Sequence, residues 1–369
     1  MPLFVTPPVE RIRSRTIGWT LLAIAAIIAI VVSALPSPYV IELPGPVFNT
    51  LGAQTIGSGS SAKKIALIKV SGHRTYPTSG ALDMLTVSID GTATQRPSWL
   101  SVVRALLTPS EAVIPATAIY PPGQTTQQVN QADQAQMTDS QQSAIAAALI
   151  HAGYSVPSIL TVAQVQSGSA ASGVMKQGDV IESVNGTSLT TDSDTTVLRD
   201  LVAKNGAGKP AQVVVKRDGA DIPLTVTPKL SDGAPLLGVV VSERFRFPFD
   251  VSIQLQNVGG PSAGMMFALG IIDTITPGSL NGGRHVAGTG TITAGGQVGP
   301  IGGIRQKLYG ARAAGATVFL APKSNCNEVV GHIPSGLSVY AVSTLDQAVH
   351  DLDTIAAGGS TAGLARCSS

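Results

Sequence analysis

From residue 17 to residue 35 the chain reads IGWTLLAIAAIIAIVVSAL, without one charged side chain. A helix of that length just crosses the hydrocarbon core of a bilayer. Arg11, Arg13 and Arg15 precede the run, and the first acid after it is Glu42. The positive flank predicts a cytoplasmic segment over 1–16, a transmembrane helix over 17–35, and export of everything after Pro36. Val32-Ser33-Ala34 also resembles a small-residue cleavage site, so a removed signal peptide is the alternative. The pattern then becomes mixed. Residues 36–61 are rich in Pro, Gly and Ser and read as an extended linker. Apolar runs at 65–70 and 85–89 predict strands. Arg96-Pro97-Ser98 opens a helix with Trp99, Val102, Val103 and Leu106 on one stripe. Residues 121–136 are polar and read as a loop or hinge. Thr138, with Gln141 three residues on, predicts a capping box for a helix through Ile150.

Residues 155–230 read as a separate β-rich domain. A strand over 160–165 leads to a turn of small residues, then Gly178-Asp179-Val180-Ile181 and an Asn185-Gly186 turn. A helix is expected from Ser193 to Lys204. Strands over 211–216 and 222–226 flank Asp218-Gly219, and both turns supply steps that need positive φ. Residues 236–355 alternate strand and helix: strands over 251–256, 285–288, 291–293 and 317–321, helices over 265–272, 304–314 and 345–352. Strands within 62–154 and within 236–355 are expected to complete one α/β unit around the 155–230 insert, leaving 356–369 as a tail.

Charged residues are only 12% of the chain and the net charge is +2, which gives no sign of a nucleic-acid partner. Two cysteines, Cys326 and Cys367, can form one disulfide in an exported protein and pin the tail. The five histidines show no close pair, so neither a metal site nor a cofactor is expected.

Two segments carry candidate chemistry. In Gly260-Pro261-Ser262-Ala263-Gly264 a serine stands at the start of an apolar helix, near unpaired N–H groups that favour negative charge. In Pro300-Ile301-Gly302-Gly303-Ile304-Arg305-Gln306-Lys307 a lysine shares a helix face with Ile304, Ala311 and Ala314. Burial disfavours an ammonium, so such an amine can act as a base for a serine nucleophile.

Together these segments resemble the proteolytic domain of the Lon family, whose pattern has a Pro-Ser-Ala-Gly nucleophile motif and a base in a helix after Pro-Ile-Gly-Gly. The resemblance implies an α/β (α+β) fold with Ser262 as nucleophile, Lys307 as base and Thr289 supporting the pair. Gly260, Pro261, Ala263 and Gly264 shape the turn. The chain departs from the pattern at Gly259, where the family often has an acid, and at Thr291, where it has glutamate. Residues 155–230 resemble a PDZ domain, which implies a groove for an extended peptide, with Gly153-Tyr154-Ser155 as the expected approach loop. The whole resembles PDZ-containing, membrane-anchored Lon-like serine proteases. It implies protein or peptide substrates, and hexameric rings, common among Lon-type domains, are an expectation that no residue carries. No nucleotide-binding loop is present, since Gly206-Ala207-Gly208-Lys209-Pro210 lacks the spacing, so hydrolysis is expected without ATP. Two other readings remain open here. Gly-Pro-Ser-Ala-Gly also fits the elbow of an α/β-hydrolase, with His332 or His350 as base. An exported, non-catalytic PDZ scaffold is the second.

Overall fold

The computed structural model of the chain describes residues 11–56, 63–190, 195–231, 233–256 and 258–367. The expected cytoplasmic flank at 1–10, the linker's end at 57–61 and the start of the 193–204 helix lie outside the described residues. In chain order the elements used below begin with α1 (Arg11–Ala34), β1 (Tyr39–Asn49), β2 (Ala81–Asp90), α2 (Trp99–Leu106), β3 (Ala112–Pro115) and α3 (Thr126–His151). The insert supplies β4 (Ser158–Val165), β5 (Val180–Val184), α4 (Thr195–Asn205), β6 (Ala211–Arg217), β7 (Ala220–Val226) and β8 (Val239–Phe245). The C-terminal part supplies α5 (Gly264–Ile275), β9 (His285–Gly288), α6 (Ile304–Ala313), β10 (Val318–Pro322), β11 (Ser338–Val342) and α7 (Leu345–Ala356). Contacts divide the chain into a smaller unit, Met1–Leu43 with Ser88–Val129, and a larger one, Pro44–Val87 with Asn130–Ser369.

In the smaller unit the apolar run forms the single helix α1. At 100° per residue, the exposed Ile17, Trp19, Leu21, Leu22, Ile24 and Ile27 fall all round its axis rather than on one stripe. Among the described residues no helix is long and apolar enough to cross a membrane. Within the expected linker, β1 is a strand: Val40 and Ile41 are fully buried, and Tyr39–Glu42 pair antiparallel with β3. Pro44, Gly45 and Pro46 hid it from a reading based on composition. Ser98 caps α2 by accepting from the Ser101 N–H, as expected. The expected stripe is wrong, however. Val102 and Ala105 face inward, while Val103 and Leu106 are exposed.

The polar stretch at 121–136 is not a loop. From Thr126 it is the first half of α3, because Gln and Ala are good helix formers whatever their polarity. The capping box lies at Thr125 and Gln128. Each backbone N–H donates to the other's side chain, at 2.8 and 3.2 Å. Thr138 instead sits mid-helix and donates back to the Gln134 carbonyl.

The larger unit contains a sheet in the order β11-β10-β9-β2-β1. β2, β9, β10 and β11 run parallel, with Ala81–Met84 beside His285–Gly288. Strands from before and after the insert therefore complete one sheet. β11 was not expected from sequence, and the 65–70 run is broken at buried Leu67 into two short strands, Lys63–Ala66 and Ile68–Ser71. The insert has its own core, around Leu160, Val162, Ile181, Val213 and Val215, and its own sheet in the order β7-β6-β5-β4-β8. That sheet continues past residue 230, because β8 pairs with β4 along its whole length. Asn185 and Asp218 adopt the positive φ expected of their turns, +48° and +52°. Cys326 and Cys367 are bonded, and Ala341 donates to the Ala365 carbonyl, so the tail lies against β11.

α5 crosses this core with Asp273 fully buried. One carboxylate oxygen accepts from the Leu280 N–H at 2.6 Å, and the other has no partner among the described residues. Burial pushes this carboxyl above the usual carboxylate range. The folded chain therefore keeps the proton to a higher pH than the unfolded chain. The stability this brings is full below the unfolded pKa and is lost as pH rises through the folded one. Asp273→Asn removes the charge. Its unfolding free energy, relative to the parent, should be larger at pH 8 than at pH 4, by on the order of 1 kcal/mol in urea titration. Equal differences at the two pH values would refute this account.

Candidate active site

The nucleophile turn is built by contact with α3. Gly260, at φ +81°, donates its N–H to the Asp133 carbonyl at 2.8 Å. The Gln134 amide donates to the Val258 carbonyl at 3.2 Å, and the buried Ser140 hydroxyl donates to the Pro261 carbonyl at 3.0 Å. A Cβ on Gly264 would lie 2.9 Å from that same hydroxyl, so a small residue is required there. Ser262 then projects just ahead of α5, and its carbonyl accepts from the Gly290 N–H at 2.9 Å.

Lys307 is held from the other side. Asn325, 2% exposed, clamps the segment that opens α6 by accepting from the Ile301 N–H at 3.0 Å and donating to the Ile301 carbonyl at 2.9 Å. Gly303, at φ +66° and packed on Val87, starts the helix. Ile304, Lys307, Leu308 and Ala311 face inward, whereas Ala314, expected on this face, is exposed.

The Lys307 side chain is 1% exposed, and its Nζ lies 2.8 Å from the Ser262 Oγ and 3.0 Å from the Thr289 Oγ1. Thr289 is fully buried and donates its one hydroxyl proton to the Ser262 carbonyl at 2.8 Å. The Lys307–Thr289 bond must therefore run from amine to hydroxyl. Burial of this depth disfavours the charged form of an amine in general. A neutral amine can donate an N–H hydrogen bond to Thr289 and turn its lone pair to the serine hydroxyl. Among the described residues the N–H groups of Ser262 and Ala263 have no backbone acceptor, which leaves them available to a developing negative charge.

The structure brings together Ser262, Lys307 and Thr289, with Gly260, Pro261, Ala263 and Gly264 forming the turn. The hydrolase elbow requires a strained serine, yet Asn185 and Asp218 are the non-glycine residues with positive φ among those described. His285, His151 and His73 bond to Asp83, Asp346 and Tyr154. No described histidine bonds to Ser262, and no described group of His, Cys, Asp or Glu could hold a metal.

Gly259 also finds its explanation. A Cβ there would lie 2.6 Å from the Cβ of Asp133, so α3 fills the place where the family often carries an acid. Burial raises the Asp133 carboxyl above its usual range. Asp133, Gln134, Ser140 and Asn325 were missed from sequence, since none lies in a motif. The only available signal was the amide-rich helical composition of 126–143. Beside the turn lies a cleft of about 200 Å³ lined by Gln136, Asp139, Ser143, Pro261 and Thr291 among others.

Residues 256–353 match the Lon protease (S16) C-terminal proteolytic domain. The chain carries a Lon-type serine peptidase domain. Residues 128–227 match the PDZ domain. Lon protease 2 of Herpetosiphon aurantiacus is 42% identical over 105 residues, 27% of this chain and 13% of that protein. Lon protease 1 of Bacillus subtilis is 37% identical over 91 residues, 24% of this chain and 12% of that protein. The chain thus spans a small part of the length of the curated relatives it matches. Among solved structures, the PDZ domain of the SdrC-like protein from Listeria innocua covers 22% of this chain and 92% of its own, at 18% identity and a TM-score of 0.21.

The PDZ-like sheet offers a groove where the sequence did not place it. Tyr154 is taken up by His73 and Phe249, donor or acceptor to the first at 2.7 Å and edge-on to the second. One edge of the sheet is β8, which faces α4 across a cavity of about 290 Å³. Leu236-Leu237-Gly238-Val239 lines this cavity, and Gly153-Tyr154-Ser155 does not.

Proposed function

We propose that this protein is a membrane-anchored serine endopeptidase that cleaves unstructured or exposed protein segments without ATP. The observation that carries this reading is the buried Lys307 amine 2.8 Å from the Ser262 hydroxyl. Ser262 attacks the scissile carbonyl as Lys307 takes its proton. The N–H groups of Ser262 and Ala263 hold the oxyanion. Collapse expels the amine, which receives the proton back from Lys307, and water then hydrolyses the acyl-enzyme by the same steps. The cleft beside Pro261 accommodates a substrate side chain next to the scissile bond. The uncharged run of α1, apolar all round, supports an anchor that leaves the peptidase outside the cell. Assembly into rings belongs to the same reading and has only the family likeness behind it.

Casein digestion by the full chain, compared with Ser262→Ala, tests the activity. A peptide boronate should label the parent and not the variant. Digestion surviving in Ser262→Ala would refute the assignment.

Peptide capture along β8 supports a role for the insert in presenting substrate. Leu236→Arg, which puts charge on an exposed residue lining the groove, should raise KM for casein about tenfold and hardly change it for a short peptide lacking a tail. Equal changes for both would remove presentation from the account.

A further inference from the structure

Outside α1, exposed large apolar side chains gather on α2. Leu100 is 65% exposed, Val103 52%, Leu106 69%, and Leu107, the C-cap, 80%. Steps of 100° place Leu100, Val103 and Leu107 on one face with Leu106 at its edge, opposite the buried Val102 and Ala105. A surface helix ordinarily turns polar side chains outward. The one charge here, Arg104, leans 3.6 Å from Glu111 at the margin of this face. An apolar patch this concentrated marks a covered surface.

Its position says what covers it. α2 begins where α1 ends: the Trp99 N–H donates to the Leu35 carbonyl at 3.2 Å, and Pro36 and Ser98 form a β-bridge. The half-buried Trp99 ring meets Tyr39 edge-on, with centroids 5.9 Å apart. Tryptophan and tyrosine settle at membrane–water boundaries, and short helices with one apolar face lie in that plane. We propose that α2 rests on the bilayer surface, with Leu100, Val103, Leu106 and Leu107 in the boundary between headgroups and acyl chains. The uncharged face calls for hydrophobic insertion rather than attraction to anionic lipid. The proposal rests on α1 being a membrane anchor.

The chain's two tryptophans separate these claims, since Trp19 lies in α1 and Trp99 opens α2. Full-length Trp19→Phe and Trp99→Phe chains are reconstituted in phosphatidylcholine vesicles brominated at shallow or deep acyl positions. Trp99 emission should be quenched more by shallow than by deep bromines, as expected of a helix about 5–10 Å below the surface. Adding Leu100→Glu, Val103→Glu and Leu107→Glu should abolish that quenching while Trp19 remains quenched in the matching background. All three positions are exposed, so circular dichroism should be unchanged. Quenching of Trp19 without Trp99, or Trp99 quenching that survives the glutamates, overturns the proposal and leaves the anchor standing. Quenching of neither overturns both. An unquenched Trp99 in a particle that the glutamates dissociate in detergent assigns the face to a second copy, and also overturns it.

Discussion

Lys307→Met is expected to lower kcat/KM for casein and for short peptides by at least about 10³-fold, while the fold survives. The two side chains have similar length, and the lysine side chain is shielded from water. Methionine keeps the packing against Ile304, Leu308 and Ala311 but has no lone pair basic enough to take the serine proton. Without a base, the Ser262 hydroxyl is a weak nucleophile at neutral pH. The thermal midpoint should hold or rise, because a buried polar head has been replaced by an apolar one. Initial rates together with calorimetry check both halves. A variant that is inactive because it has unfolded, or one that keeps a tenth of the parent rate, would count against Lys307 as the base.

Thr289→Val should reduce kcat on the order of 10²-fold with little change in KM. Valine fills the same space but neither accepts from the amine nor donates to the Ser262 carbonyl. The carbonyl keeps the Gly290 N–H, so the turn stands. The amine loses the partner that aims its lone pair. Thr289→Ser should restore most of the rate. Because Thr289 acts through Lys307, the acid limb of the kcat–pH profile should move in the valine variant and return in the serine one. A loss of kcat with an unmoved profile would point to a role in packing alone.

The Ser262–Lys307 pair was legible because its chemistry is written locally, in a Pro-Ser-Ala-Gly turn and in a lysine on an apolar helix face. The parallel core strands were legible where apolar residues ran without interruption, as at 318–321. β1 was not, because Pro44, Gly45 and Pro46 break its pattern while its neighbours in the sheet keep it straight. α3 was misread because polarity was taken for irregularity, although glutamine and alanine lower the cost of a helix. Asn325 and Ser140 were invisible for another reason. Each acts on backbone atoms of a distant segment, and no local pattern records such a contact. The β8 edge of the insert's sheet went unread because that strand follows the expected end of the domain.

The partner of β2 in the parallel sheet lies far along the chain, as shown by Asp83 and His285, which are bonded across 202 residues. During synthesis the early strands must wait, unpaired on that side, until the entire PDZ-like module has emerged. That module has its own core and can collapse first, shortening the distance its ends must bridge. Assembly of the catalytic sheet is therefore the late and slow event, and a ribosome that stops before residue 285 releases the PDZ-like module without the completed sheet.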